Sequence, residues 1–116
     1  MDRVFFDHAS TTPIDPEVME VMMESMKQHF GNPSSIHQEG RTARTVVEQA
    51  RRTVAKLLNA SIGEIFFTSG GTESNNMALK GAVRDLGVRR IVSSPLEHHC
   101  VIASLDRLTE TDQVEV

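Results

Sequence analysis

Two adjacent glycines followed by a threonine form the first stretch of this chain whose residue types suggest ligand chemistry. Gly70, Gly71 and Thr72 lie in the segment FTSGGTESNN at residues 67–76, after apolar residues typical of a buried strand. If a helix begins here, its free N–H groups and the positive end of its dipole favour an anion. Glycine lets the backbone approach a phosphate closely, and the threonine hydroxyl adds a donor. The segment predicts a phosphate site, and a tight turn with Thr72 as a simple N-cap remains an equally open interpretation.

Two better-known phosphate motifs do not match this loop. A Walker A loop ends in Gly-Lys-Ser/Thr, whereas Gly71 is followed by Thr72 and Glu73. A dinucleotide fingerprint needs G-x-G-x-x-G, and this loop has only its adjacent pair of glycines. The loop therefore belongs to neither of these motif classes.

The second cluster with chemical potential is Glu97-His98-His99-Cys100, in which every residue type can bind a metal. Neighbouring side chains on a helix point about 100° apart, so two consecutive histidines seldom converge on one ion, and we expect no metal site. One alternative is a polar helix start. Another places one histidine in the same pocket as the glycine loop, where a flat imidazole can stack on a planar cofactor.

The elements that would position both clusters alternate between strand and helix. The second half of the chain reads β-α-β-α-β, which is typical of a parallel sheet with helices packed on it. The expected elements are a strand at Glu64 to Thr68, a helix after Thr72 with Leu79, Ala82 and Leu86 on its apolar face and Gly87 as its C′ residue, a strand at Arg90 to Ser94, a helix after Pro95 with Val101, Leu105 and Leu108, and a strand from Val114. Both clusters then follow successive strands and lie at the carboxyl edge of the sheet, where such folds bind ligands.

The first half of the chain predicts one short strand and two helices. Val4 to Phe6 reads as a strand, and Asp15 with Pro16 is a good helix start. A stripe of Met19, Met23, Met26 and Phe30 on one helix face predicts core packing. Gly31 to Ser35 breaks that helix, and a second helix runs from about Ile36 to Asn59, with Ala43, Val47, Ala50, Val54 and Leu57 on one face.

Composition limits the classes of function. The chain has 116 residues, 39% hydrophobic and 24% charged, with net charge −4 and no long basic block, which argues against nucleic-acid binding. No apolar run reaches the length of a membrane span, and the start lacks a signal peptide, so we expect a cytoplasmic protein. The single cysteine, Cys100, fits a reducing compartment. Three parallel strands make a poor sheet alone, so we expect the first part of a larger α/β protein.

Four segments together resemble the cysteine desulfurases of the NifS/IscS type, which are class-V aminotransferase-like pyridoxal-phosphate enzymes of fold type I. The segments are ASTTPIDPEV, FGNPSSIHQEG, FTSGGTESNN and LEHHCV, in the order and approximate spacing of the family. The resemblance implies an α/β chain that forms the first part of the large domain of that fold. Residues 1–14 would be an N-terminal arm belonging to the small domain, and residues 15–116 the truncated start of the large, cofactor-binding domain.

The resemblance also implies roles for three residues. Gly71 and Thr72 match the loop that holds the phosphate of pyridoxal phosphate through a backbone N–H and a hydroxyl. His98 matches the histidine that stacks on the pyridine ring and assists proton transfers, whereas His99 occupies a variable position. Ser10, in the segment DHASTTP, stands where the family commonly has alanine.

Three further groups of the family are expected beyond Val116: a lysine that binds the cofactor, an aspartate that pairs with its ring nitrogen, and a mobile-loop cysteine. The three lysines of this chain, Lys27, Lys56 and Lys80, lie on predicted helices away from the loop edges. Cys100 is expected to be a buried, unactivated thiol without a catalytic role. We therefore expect the isolated chain to be inactive.

The resemblance implies that the intact enzyme converts L-cysteine to L-alanine and leaves a persulfide for iron–sulfur cluster or thio-cofactor assembly. Its implied partners are a second copy in a homodimer and a sulfur-acceptor or iron–sulfur scaffold protein. Two alternatives stay open: another class-V aminotransferase-like enzyme such as a selenocysteine lyase, or a non-catalytic phosphate-binding module. The residues present distinguish neither cysteine from selenocysteine as substrate nor one sulfur acceptor from another.

Overall fold

A computed structural model describes residues 4–116, which form two compact units that divide between Ile65 and Phe66. The first three residues of the predicted arm lie outside the described residues. Across 4–116, no helix combines the length and the apolar character that crossing a bilayer requires. The division into an arm and a large domain stays a prediction.

Helix α1 in the first unit spans Pro16–Gln28 and begins as its sequence predicts. The side chain of Asp15 accepts a hydrogen bond from the Glu17 N–H at 2.9 Å, which satisfies one of the helix's free donors. Pro16 occupies the first turn, where its missing N–H costs nothing. Val4 to Phe6, however, forms no strand.

The predicted core packing of the α1 methionine stripe is wrong for this chain. Helix α1 has no buried residue, and Met26 is 69% exposed. Met19, Met23 and Phe30 are exposed as well. The three methionines lie on α1, whereas Phe30 follows the end of the helix, and none of the described residues covers this stripe closely enough to bury it.

Helix α2 spans Gln38–Leu58 and ends at Asn59 as predicted, and the structure adds that the left-handed backbone of Asn59 (φ 52°) caps it. Of the predicted apolar face, Ala43 is buried and Leu57 is 79% exposed. Gly31, ahead of α2, and Gly40, in its first turn, lie so close to neighbouring backbone that a Cβ on either would stand within 2.8 Å of backbone atoms. The glycines at the two ends of the segment GNPSSIHQEG therefore allow a tight chain reversal.

The second unit is built on two helices that pack against each other, α3 (Gly71–Arg84) and α4 (His99–Asp112). Val83 and Leu108 are completely buried, and Val114 joins them in the core with Leu79 and Ile91 at its margin. Burying each large apolar side chain contributes about 1.5–3 kcal/mol. This helix pair sets the distance between the two predicted ligand clusters. The predicted face of α3 is wrong only at Leu86, which lies past the helix end and is 80% exposed.

Ion pairs and one turn complete the frame of the second unit. Arg84 on α3 forms a two-pronged ion pair with Asp112 on α4, at 3.2 and 3.0 Å. Gly87, with φ 72°, lies two residues past Asp85, the C-cap of α3, so the left-handed residue is present but one position later than predicted. The ion pair links the last turns of α3 and α4, and the glycine allows the chain to turn after α3.

The predicted sheet is reduced to a single parallel bridge between Arg90 and Glu115. The Ile91 N–H donates to the Glu115 carbonyl at 2.8 Å, and the Glu115 N–H donates to the Arg89 carbonyl at 3.0 Å. The expected strand at Glu64 to Thr68 is absent; a short 3-10 helix, Ile62–Glu64, precedes this segment instead. A strand requires a neighbour for its N–H and C=O groups, and residues 4–116 offer one only at this bridge. The parallel direction agrees with the sequence, but the extent of the sheet does not.

Candidate functional site

The glycine pair opens helix α3 rather than forming a turn before it. Gly70 is the N-cap, Gly71 is the first helical residue and Thr72 the second, so the alternative of Thr72 as N-cap is wrong. A Cβ added at Gly70 or Gly71 would meet no atom within 4 Å. The N–H groups of Gly71 and Thr72 have no acceptor within the helix because they lie in its first turn. The helix start is thus open and rich in donors.

Side chains around the loop fix its shape without any ligand. The Glu73 carboxylate accepts from the Ser69 N–H at 2.6 Å and from the Ser69 hydroxyl at 2.7 Å, and these bonds hold the pKa of Glu73 below its usual range. The hydroxyls of Thr68 and Ser74 lie 2.7 Å apart. The Ser69 donors are consequently occupied, which leaves Gly71 and Thr72 as the donors available to an anion.

His98 marks the start of helix α4 and is its N-cap, with extended backbone (φ −60°, ψ 144°). Its ring atom Nδ1 accepts from the Cys100 N–H at 3.2 Å and lies 3.0 Å from Cys100 Sγ. A histidine side chain therefore takes the place of the usual Ser, Thr or Asp cap. His99 is the first residue of the helix proper, so the two histidines have different backbone roles.

Cys100 differs from its predicted description as a buried, unactivated thiol. It is part-exposed, and its Sγ lies 3.4 Å from the Nδ2 of Asn75. Contacts with Asn75 and then His98 lower the pKa of the Cys100 thiol, burial opposes them, and a contact with Thr72 lowers the pKa by a smaller amount than burial raises it. Sequence reasoning missed this because Asn75 and Thr72 come from another helix. The one available signal was the spacing of Thr72 and Asn75, three residues apart on one face of α3.

The loop and the histidine converge on one cavity of about 290 Å³, lined by Gly71, Thr72, Asn75, His98 and Cys100. Its volume is near the lower end of the range for small-molecule sites. The structure thus brings together Gly71, Thr72 and His98, the three residues predicted to bind the cofactor. It adds Asn75, which was not singled out, and Cys100, for which no role was expected.

A neighbouring cavity of about 440 Å³ shares Thr72, His98 and Cys100 with the first and extends along α3 and α4 to Lys80 and Arg107. Lys80 lies on a helix, as predicted, and it lines this neighbouring cavity but not the one at the glycine loop. Thr72 and Lys80 are eight residues apart, about two helical turns, and so share one face of α3. In the described part of the chain, no three His, Cys, Asp or Glu side chains converge as a metal ligand set.

The residues at the first cavity, next to the glycine loop, fit a phosphate-bearing planar cofactor. A helix start without Cβ atoms at two successive positions provides the open cradle that a phosphate needs, and Thr72 provides a hydroxyl beside it. His98 provides a flat ring at the same cavity. The donor set therefore agrees with the group that the sequence resemblance implies.

Comparison with known proteins agrees with this architecture. Residues 4–116 match the family model of aminotransferase class-V. Cysteine desulfurase IscS from Dictyoglomus turgidum is 52% identical over 102 residues, which are 86% of this chain and 26% of that protein. An IscS-like cysteine desulfurase from Mycobacterium tuberculosis is 44% identical over 117 residues, 97% of this chain and 30% of that protein.

A solved structure of a NifS-like protein superposes with a TM-score of 0.90 at 38% identity, covering 99% of this chain and 32% of that one. This likeness confirms the predicted fold class, the incomplete first part of the fold-type-I large domain. The chain spans only about a quarter to a third of the length of these relatives. Because the family model covers nearly all of its residues, the chain belongs to the aminotransferase class-V family.

Proposed function

We propose that this chain is the N-terminal part of a pyridoxal-phosphate-dependent cysteine desulfurase. The observation that carries the proposal is the convergence of Gly71, Thr72 and His98 on one cavity, in a chain 52% identical to a protein of that name. In the intact enzyme the Cβ–Sγ bond of L-cysteine breaks, the sulfur passes to a protein thiol as a persulfide, and L-alanine is released. The persulfide then serves an iron–sulfur scaffold or another sulfur acceptor.

Gly71 and Thr72 would hold the cofactor phosphate. The Gly71 N–H lies at the positive end of the α3 dipole, and the Thr72 hydroxyl adds a donor on the cavity side. Hydrogen bonds to a charged group contribute about 1.5–3 kcal/mol each. The Ser69 N–H and hydroxyl both donate to the Glu73 carboxylate, which partly offsets its negative charge near the start of α3.

His98 would lie against the cofactor ring and hold or move a proton on the substrate side. When bound, pyridoxal phosphate supplies an electron sink for carbanion chemistry on the amino acid. His98 would hold the cofactor ring in a fixed orientation and present an imidazole nitrogen to the reacting atoms. The covalent lysine, the ring-nitrogen aspartate and the nucleophilic cysteine are assigned to the part of the enzyme that follows residue 116.

The remaining features of the intact enzyme also belong to the proposal. The resemblance of the sequence to its family supports a cytoplasmic homodimer, and the lack of a long basic block argues against nucleic acid as a partner. The exposed apolar residues of α1 are consistent with further protein covering that helix.

The test uses the intact protein loaded with pyridoxal phosphate, with L-cysteine as substrate and alanine and sulfide as measured products. His98→Ala should lower alanine formation by about 10²–10⁴ at saturating cofactor and shift the visible absorbance of the cofactor. His99→Ala is the matched control and should change the rate less than about threefold. No alanine from the wild type, or an unchanged rate and spectrum in His98→Ala, would refute the proposal. Activity on selenocysteine alone would favour a selenocysteine lyase.

A further inference from the structure

The backbone N–H and the thiol of Cys100 both contact the same nitrogen of the His98 ring. The backbone N–H of Cys100 points at Nδ1 from 3.2 Å, and Cys100 Sγ lies 3.0 Å from the same atom. A backbone N–H can only donate, so Nδ1 accepts that bond with its lone pair. The proton of the neutral imidazole is then on Nε2.

The thiol of Cys100 is itself held from the other helix. Asn75 Nδ2 on α3 donates to Sγ at 3.4 Å, so the S–H can turn toward Nδ1 and share its lone pair with the Cys100 backbone N–H. The result is a chain of donors that runs from the Asn75 amide through the thiol to the His98 ring. Such chains strengthen each member and restrict its orientation.

We propose that Cys100, held in place by Asn75, is the positioning residue of His98, fixing its neutral ring in the tautomer that carries the proton on Nε2. The proposal rests on the proposed function only for the identity of the cofactor that the His98 ring would face. The tautomer of His98 is itself a property of the cofactor-free chain. It also gives Cys100 a use that does not require it to be a nucleophile. The usual capping residues, Ser, Thr and Asp, have no ring whose tautomer needs fixing.

The deciding measurement is the nitrogen NMR spectrum of histidine side chains in the intact, cofactor-free protein. The His98 signals are assigned by their loss in His98→Gln, and His99 serves as the internal reference. In the wild type, Nδ1 should show the shift of an unprotonated nitrogen and Nε2 that of a protonated one. A proton found mainly on Nδ1 of the wild type overturns the proposal without the need for any variant.

Two substitutions separate positioning from simple packing. Cys100→Ala keeps the backbone N–H but loses the side-chain donor, so the ratio of the two tautomers should fall by about 2- to 10-fold, the net effect of one hydrogen bond. Cys100→Ser restores a donor and should recover most of the wild-type ratio. Asn75→Ala should shift the ratio in the same direction as Cys100→Ala, by less.

The outcomes distinguish this proposal from the proposed function. Identical His98 spectra in wild type and in folded Cys100→Ala would overturn the positioning role, whatever the enzyme does with cysteine. The expected spectra in a protein that fails to bind pyridoxal phosphate would support the positioning role and refute the proposed function.

Discussion

Removal of the Thr72 hydroxyl is the most direct perturbation of the phosphate cradle. Thr72 is the second residue of α3 and lines the cavity together with Gly71 and His98. A hydrogen bond from this hydroxyl to a doubly charged phosphate contributes about 1.5–3 kcal/mol, which corresponds to roughly a tenfold to hundredfold change in affinity.

The structure favours the lower end of that range. In the cofactor-free chain Thr72 already interacts weakly with the Cys100 thiol, since it lowers the pKa of that thiol by less than Asn75 or His98 does. Binding a phosphate therefore replaces a weak interaction of Thr72 with a stronger one. We expect Thr72→Ala to weaken cofactor binding about tenfold.

The assay titrates pyridoxal phosphate into the intact apoprotein and follows its visible absorbance. Thr72→Ser keeps the hydroxyl and is the matched control, which should bind within about threefold of the wild type. Turnover of Thr72→Ala should return at excess cofactor, because only ground-state retention is impaired. If Thr72→Ala bound pyridoxal phosphate with wild-type affinity, the reasoning would be refuted, and the glycine pair would be a helix start without a phosphate-binding role.

Three further predictions follow from individual contacts. The pKa of Asp112 lies below its ordinary 3.8 because the Arg84 guanidinium bonds to the carboxylate. The pair therefore stabilises the fold fully above about pH 4, and this stability is lost as the pH falls through the lowered pKa. Asp112→Asn should reduce the dependence of the free energy of unfolding on pH in the acid range, and an unchanged dependence would contradict the assignment. Asn75→Ala should move the pH midpoint of Cys100 alkylation upward more than Thr72→Ala does, because Asn75 has the largest effect on the pKa of that thiol; a larger shift in Thr72→Ala would reverse the ranking. Incubation of the 116-residue chain with pyridoxal phosphate and borohydride should label no lysine stoichiometrically. Lys80 is the lysine to watch because it lines the neighbouring cavity, and its full labelling together with sulfide release from cysteine would disprove this prediction.

The sequence predicted helix ends well because they depend on a few neighbouring residues. Asp15 with Pro16, and Asn59 at the end of α2, act within two or three positions of the chain, and the structure has both caps in place. The buried residues Leu105 and Leu108 on α4 also follow from helical spacing.

Strands and the surroundings of side chains could not be predicted as well, because both depend on distant partners. The apolar segment at 65–67 reads as a strand, but a strand forms only where another strand accepts its hydrogen bonds. The environment of Cys100 is set by Asn75, which is 25 residues away along the chain. The phosphate loop at Gly71 and Thr72 was predicted from residue types, the role of His98 came from family resemblance, and the contact between Asn75 and Cys100 required coordinates.

The open methionine face of α1 is also a built-in chemical reporter. Met19, Met22, Met23 and Met26 are all exposed by 45% or more, so their thioethers are accessible to dilute peroxide. Oxidation to the sulfoxide makes an apolar side chain polar, and its rate follows solvent access. In the 116-residue chain these four should oxidise at similar, fast rates. In any longer protein that packs against α1, the covered ones should be protected, so mass spectrometry of one tryptic peptide would reveal which turns of the helix are covered.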